Sequence, residues 1–145
     1  MKKRGRIWVT SRDNFCVLRA RGPWNKENLK RFLKSLNSDM DTPKGCEWGS
    51  LAVLYGESLL TPDALTIFIQ AHQHMVENGL KCVAVVLSEV AVQPLVKHQF
   101  SGLYQQCGIE YEFFDNERSA LEWLEKQQIQ INPAMLLQHP KDKFW

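Results

Sequence analysis

The chain has 145 residues, of which 44% are hydrophobic and 23% charged, with a formal net charge of +2. A chain of this length forms one domain that buries roughly two-thirds of its extended surface, and its composition excludes the disordered, collagen-like and disulfide-scaffold classes. No apolar run approaches the roughly 18 residues a membrane helix needs, and Met1-Lys2-Lys3-Arg4-Gly5-Arg6 is not followed by the apolar stretch of a secretion signal, so no membrane insertion and a cytoplasmic location are expected.

The charge is unevenly placed. Met1 to Arg21 carries seven basic residues against Asp13, so the beginning is +6 and the remainder −4. Aromatic residues do not interleave with this basic stretch as they do in single-strand binders, so a nucleic-acid partner is not expected. The basic start instead forms a solvated leader and pairs with the acidic remainder of the same fold. Cys16, Cys46, Cys82 and Cys107 form no Cys-x-x-Cys pair, which supports neither a zinc site nor a dithiol. Three of them read as small buried hydrophobes, while Cys46, in a loop with Pro and Gly, reads as exposed.

Arg6 to Thr10 and Asn14 to Arg21 flank a turn-rich Ser11-Arg12-Asp13-Asn14 junction. In the second stretch Cys16, Leu18 and Ala20 alternate with Phe15, Val17, Arg19 and Arg21, the period of two that a strand with unequal faces shows. The spacing predicts an antiparallel hairpin, ended by Gly22-Pro23. Asn25 is suited to cap a helix in which Leu29, Phe32, Leu33 and Leu36 recur at helical spacing. A loop is expected from Ser38 to Gly49, pinned by Trp48.

From Gly49 onward the chain alternates strand-like and helical stretches. Ser50 to Tyr55 and Cys82 to Leu87 are apolar throughout, as strands buried on both faces are, so both are expected to be central and adjacent. Ile109, Tyr111 and Phe113 alternate with Glu110 and Glu112, which suits a strand toward an edge. Thr61-Pro62-Asp63 supplies an N-cap, a proline at the first helical position and an acid at the positive end of the helix dipole, and Gly79 ends that helix. Leu65, Phe68, Ile69, His72, Met75 and Val76 form its apolar stripe. Val96, Phe100, Leu103 and Cys107 line the next helix, and Ala120, Leu121 and Leu124 the last. Together these elements predict an α/β fold: a mixed sheet, antiparallel at its start and then parallel, with about four packed helices.

Chemistry-bearing motifs are scarce. His72 and His74 are two apart and point in different directions on a helix; His72 reads as a core histidine, and no metal is assigned. Ser58, Ser88 and Ser101 lie in neither Gly-x-Ser-x-Gly nor Ser-x-x-Lys, and no phosphate or dinucleotide glycine motif occurs, so no catalytic residue and no cofactor is assigned. In open sheets of this kind ligands bind outside the carboxyl ends of the parallel strands. That geometry selects one rim, with Tyr55, Glu57, Ser58, Thr61, Asp63 and Ser88 as its candidate binding residues, beside Asp115 and Asn116, with helix capping as the competing role for Thr61 and the Asp115-Asn116 pair.

The succession of two opening strands, the Trp24-Asn25 helix, Leu51-Ala52-Val53-Leu54-Tyr55, the Thr61 to Gly79 helix, the run Gly79 to Ser88, and Phe113-Phe114-Asp115-Asn116-Glu117-Arg118-Ser119-Ala120-Leu121-Glu122-Trp123-Leu124 resembles the STAS-like group, relatives of the bacterial sporulation anti-sigma-factor antagonist SpoIIAA. The likeness spans Ile7 to Gln127. It implies a STAS-like domain over residues 1–128. Residues 129–145, with Met135-Leu136-Leu137 and a closing Phe144-Trp145, read as a tail packing on the body or on a second subunit, which makes a homodimer one expectation. The resemblance also implies a non-enzymatic regulatory module that binds a protein partner, or alternatively a carrier of a small apolar or lipid-like ligand. Regulatory members carry a phosphorylatable residue in an Asp-Ser-Ser-Gly-like turn. Here that turn reads Leu59-Leu60-Thr61-Pro62-Asp63-Ala64-Leu65, in which Thr61 alone stands in as a possible phosphorylation site.

Overall fold

The structure, a computed structural model, describes residues 5–39, 46–132 and 136, the side chains of residues 32 and 35–39 excepted. The leader 1–4, loop residues 40–45, the side chains of the stripe positions Phe32 and Leu36, His139 and most of the tail beyond 132 therefore lie outside the described residues and side chains. Within them the chain order is β1 (Arg6–Arg12), β2 (Phe15–Arg21), α1 (Lys26–Asp39), β3 (Trp48–Gly56), α2 (Pro62–Glu77), β4 (Leu80–Val90), α3 (Gln93–Cys107), β5 (Glu110–Phe114) and α4 (Glu117–Lys126).

The five strands form one sheet in the order β1-β2-β3-β4-β5. β1 pairs antiparallel with β2 across the Asp13-Asn14 turn, where Asp13 takes a left-handed φ of 56° that aspartate tolerates better than most residues. All later pairings are parallel, and Leu51 to Tyr55 lies beside Ala84 to Ser88. The apolar strands β3 and β4 are interior and β5, with its exposed Glu110 and Glu112, is an edge. Several boundaries differ from the sequence reading, and β1 runs on to Arg12, which narrows the expected Ser11–Asn14 turn to Asp13-Asn14. The expected Ser38–Gly49 loop is shortened at both ends, because α1 continues to Asp39 and β3 starts at Trp48, whose indole Nε1–H donates to the Asn78 carbonyl at 3.0 Å. β4 also runs past Leu87 to Val90, where Gly56 supplies its last partner.

Strand alternation divides the core. Cys16, Ala20, Ala52, Leu54, Val83, Val85 and Leu87 face α1, α2 and α3, meeting Leu29, Phe68, Val96, Phe100, Leu103 and Tyr104. Phe15, Val17, Leu51, Val53, Ala84 and Val86 face α4, meeting Ala120 and Leu124, with Ile129, Ile131 and Leu136 against the same cluster. Side chains fully buried in either layer contribute roughly 1.5–3 kcal/mol each. The helix starts are as chemically explicit as the core. Asn25 and Asn28 exchange reciprocal backbone-to-side-chain bonds of 2.8 and 3.0 Å, Thr61 Oγ1 accepts from Ala64 N at 3.2 Å, and Asn116 Oδ1 accepts from Ser119 N at 2.8 Å, each satisfying an otherwise orphaned first-turn donor.

Candidate functional site

The carboxyl ends of β2, β3 and β4 meet where the connections to α1, α2 and α3 begin, and backbone contacts fix these connections against one another. Gly22 N donates to the Tyr55 carbonyl at 3.3 Å, Trp24 bridges Leu60, and Ala91 N donates to the Gly56 carbonyl at 3.2 Å. A side chain at Gly22 would collide with the Glu57 carbonyl, so glycine permits this close approach. From α3, the Gln99 amide clamps Leu60, accepting from its N–H at 2.8 Å and donating to its carbonyl at 3.0 Å.

The candidate residues divide between the two sides of the sheet. Glu57 and Thr61 are exposed on the β3–α2 connection, where Thr61 is the α2 N-cap, and Asp63 is exposed in the first turn of α2. Ser58 is on the same connection but buried, its Oγ–H donating to the Tyr55 carbonyl at 3.3 Å, so it shapes the turn. Tyr55 belongs to the α4-side layer, and Ser88 is its register partner on β4.

Sequence reasoning missed three residues on this rim. Leu59, Val92 and Leu95 are 39%, 53% and 57% exposed, the exposed large hydrophobics among the described residues. Leu59 lies on the connection after β3, Val92 is the residue that begins α3, and Leu95 is in the first turn of α3, one turn before Gln99, which grips the neighbour of Leu59. Val92 holds a left-handed conformation, φ 48° and ψ 51°, and begins α3 with no side-chain cap. A β-branched residue pays steric strain there. The available signal was the position of Leu95 outside the Val96, Phe100 and Leu103 stripe; Val92, four residues before Val96, continues that spacing and gave no such signal.

Sequence reasoning also missed a charged centre on the α4 side. Arg19 is 1% exposed; its Nη2 donates to Glu117 Oε1 at 2.7 Å and its Nη1 to the Tyr55 hydroxyl at 3.0 Å. Arg21, two residues on along the same face, lies over the Tyr55 ring at 5.2 Å, a cation–π contact. The signals were the arginines at alternate positions in an apolar strand and the excess of acid later in the chain.

The remaining titratable groups inside the protein are held neutral by burial. Desolvation lowers the His72 pKa to about 4, while its Nδ1–H donates to the Phe68 carbonyl at 2.9 Å. Burial pushes the Cys16 thiol up to about 12 and the Cys82 thiol to about 11, and raises the Tyr104 phenol and the Cys107 thiol. For Cys82 the lowering effect of neighbouring Lys81 is outweighed by burial. Among the described residues no three His, Cys, Asp or Glu side chains are grouped to hold a metal, and no helix is long and apolar enough to cross a membrane.

A five-stranded mixed sheet with one antiparallel edge, three helices on one face and a fourth on the other is the SpoIIAA-like fold. A solved protein of the DUF3478 family from Shewanella loihica PV-4, described as uncharacterized with a SpoIIAA-like fold, matches 86% of this chain and 98% of its own at a TM-score of 0.53 and 19% sequence identity. No protein-family model matches the chain, and no curated protein matches it in sequence.

Proposed function

We propose that the protein is a non-enzymatic interaction module of the STAS-like type, which docks a protein partner on the rim formed by the connections after β3 and β4. The observation that carries this reading is that Leu59, Val92 and Leu95, the exposed large hydrophobics among the described residues, all lie beyond the carboxyl ends of β3 and β4, where the Leu60–Gln99 clamp ties the two segments and Glu57, Thr61 and Asp63 are also exposed. Exposed apolar groups gathered at one place, on backbone held in a strained conformation, favour burial against another surface. A photo-crosslinking residue at Leu95, compared with one at exposed Gln105 at the other end of α3, tests it in cells. A discrete adduct specific to position 95 is expected; equal labelling or none at both positions sinks it. Within this reading Thr61 is the candidate modification site, since a phosphate at the N-terminus of α2 is favoured by the helix dipole.

A second reading, carriage of a small apolar or lipid-like ligand, draws on a cavity of about 30 Å³ beneath α2 and α3, lined by Cys16, Trp48, Phe68, His72, Phe100 and Tyr104 among others. That is about the volume one water occupies, against roughly 300–1,000 Å³ for pockets that hold drug-sized molecules. The carrier reading therefore requires α2 to move outward. Native mass spectrometry of gently purified protein that finds only the bare chain mass counts against it.

A further inference from the structure

Among the described residues two buried side-chain nitrogen or oxygen atoms have no hydrogen-bond partner, Nε of Arg19 and Nε of Arg21. Both belong to one face of β2. Buried polar atoms are paired in the great majority of cases, and an orphan calls for an explanation such as a missing ion. From this pair we infer that the α4 side of the sheet carries an oxyanion site, built for the phosphoryl group of a phosphate or phosphate monoester.

The guanidinium geometry carries the argument. Nε–H and Nη2–H point to the same side of an arginine and form one edge of its fork, which matches two oxygens of a carboxylate or phosphate. On Arg19 the Glu117 carboxylate uses half of that edge, reaching Nη2 at 2.7 Å while Nε stays without an acceptor. Glu117 is thus an incomplete occupant, and its side chain, 38% exposed, can leave toward solvent. It is also the first residue of α4, so an anion replacing it sits at the positive end of that helix dipole. The Tyr55 hydroxyl is already at Arg19 Nη1, and Ser88 follows Tyr55 in register.

Phosphate fits better than a second carboxylate because two cations are involved. Arg21 has the same unfilled Nε and lies against the same tyrosine, while Arg6 stands opposite it on β1. A dianion with three acceptor oxygens satisfies both forks once Glu117 withdraws; a monocarboxylate matches one of them. The face involved is opposite the one that carries the apolar rim residues, so this site is independent of the docking reading above.

The test uses the full-length protein and the arginine Nε–Hε signals of its nitrogen–proton NMR correlation spectrum. Inorganic phosphate is titrated to about 20 mM, a range that reaches millimolar affinities, against sodium acetate and sodium chloride at equal ionic strength. Two Nε–H signals should move saturably with phosphate and not with chloride, one of them disappearing in Arg21→Gln. Glu117→Gln, which keeps a hydrogen-bonding side chain but removes the competing charge, should tighten phosphate binding about tenfold. Arg21→Gln should weaken it at least about tenfold while leaving the melting temperature nearly unchanged, because the side chain is only half-buried. The inference is overturned if neither wild type nor Glu117→Gln shows a saturable shift, if chloride reproduces it, or if acetate binds as tightly as phosphate.

Discussion

Beneath α2 and α3 the buried ionisable groups, His72, Cys16 and Tyr104, are kept neutral by desolvation, whereas on the α4 side Arg19 stays charged at 1% exposure and is held by Glu117 and Tyr55. The difference follows from proton affinity. An imidazole or a thiol escapes the cost of a buried charge by changing its protonation state, but a guanidinium cannot, so it must recruit acceptors. One face of this sheet is consequently a packed layer insensitive to ions, and the other has a fixed positive charge whose balance depends on what lies next to it.

The largest expected effect belongs to the neutral face. His72 has a folded pKa of about 4 against its ordinary 6.5, so between those values the unfolded chain binds the extra proton and the folded one does not. Stability is fully present above about pH 6.5 and is lost as pH falls toward 4. From about pH 7.5 to about pH 4.5 the His72 contribution to the loss is about 2–3 kcal/mol. Urea unfolding across that range should show a slope that His72→Leu flattens; an unchanged slope in the variant means that the ring is not buried in its neutral form.

Next in size is the charged face. Glu117→Leu leaves Arg19 with Tyr55 as its remaining partner and should cost about 2 kcal/mol, less than for a wholly enclosed pair because Glu117 is partly in water. The double variant Arg19→Met with Glu117→Leu should recover most of that loss, since an apolar side chain of similar length replaces the stranded cation. Equal stability of the single and double variants in urea removes the contrast between the two faces.

The sheet was legible because each strand states its own environment. The unbroken apolar runs of β3 and β4 require cover on both sides, and the alternating acids of β5 require one wet face. The split of the rim was not legible, because the face on which Tyr55 and Ser88 lie depends on strand register, while Thr61 and Asp63 open α2, which packs on the opposite layer. The Arg19–Glu117 bond, 98 residues apart in sequence, was visible only as a charge imbalance between the two parts of the chain. No local pattern identifies which acid is the partner; the fold brings Glu117, the first residue of α4, within reach of Arg19 on β2 and makes the choice.

The smallest expected effect tests whether the α2 start is structural, functional or both. Thr61 Oγ1 accepts from Ala64 N at 3.2 Å, a bond that Thr61→Val removes and Thr61→Ser keeps. Valine should cost about 1 kcal/mol of stability in urea unfolding and serine only a few tenths. Crosslinking at Leu95 separates the roles. If capping alone matters, valine lowers stability and leaves adduct formation intact, because the Gln99 clamp on Leu60 still fixes the connection from the α3 side. If the hydroxyl itself meets a partner or is modified, valine abolishes the adduct while serine keeps it. Wild-type adduct levels in Thr61→Val dismiss the phosphorylation role and leave the apolar trio as the determinant of docking.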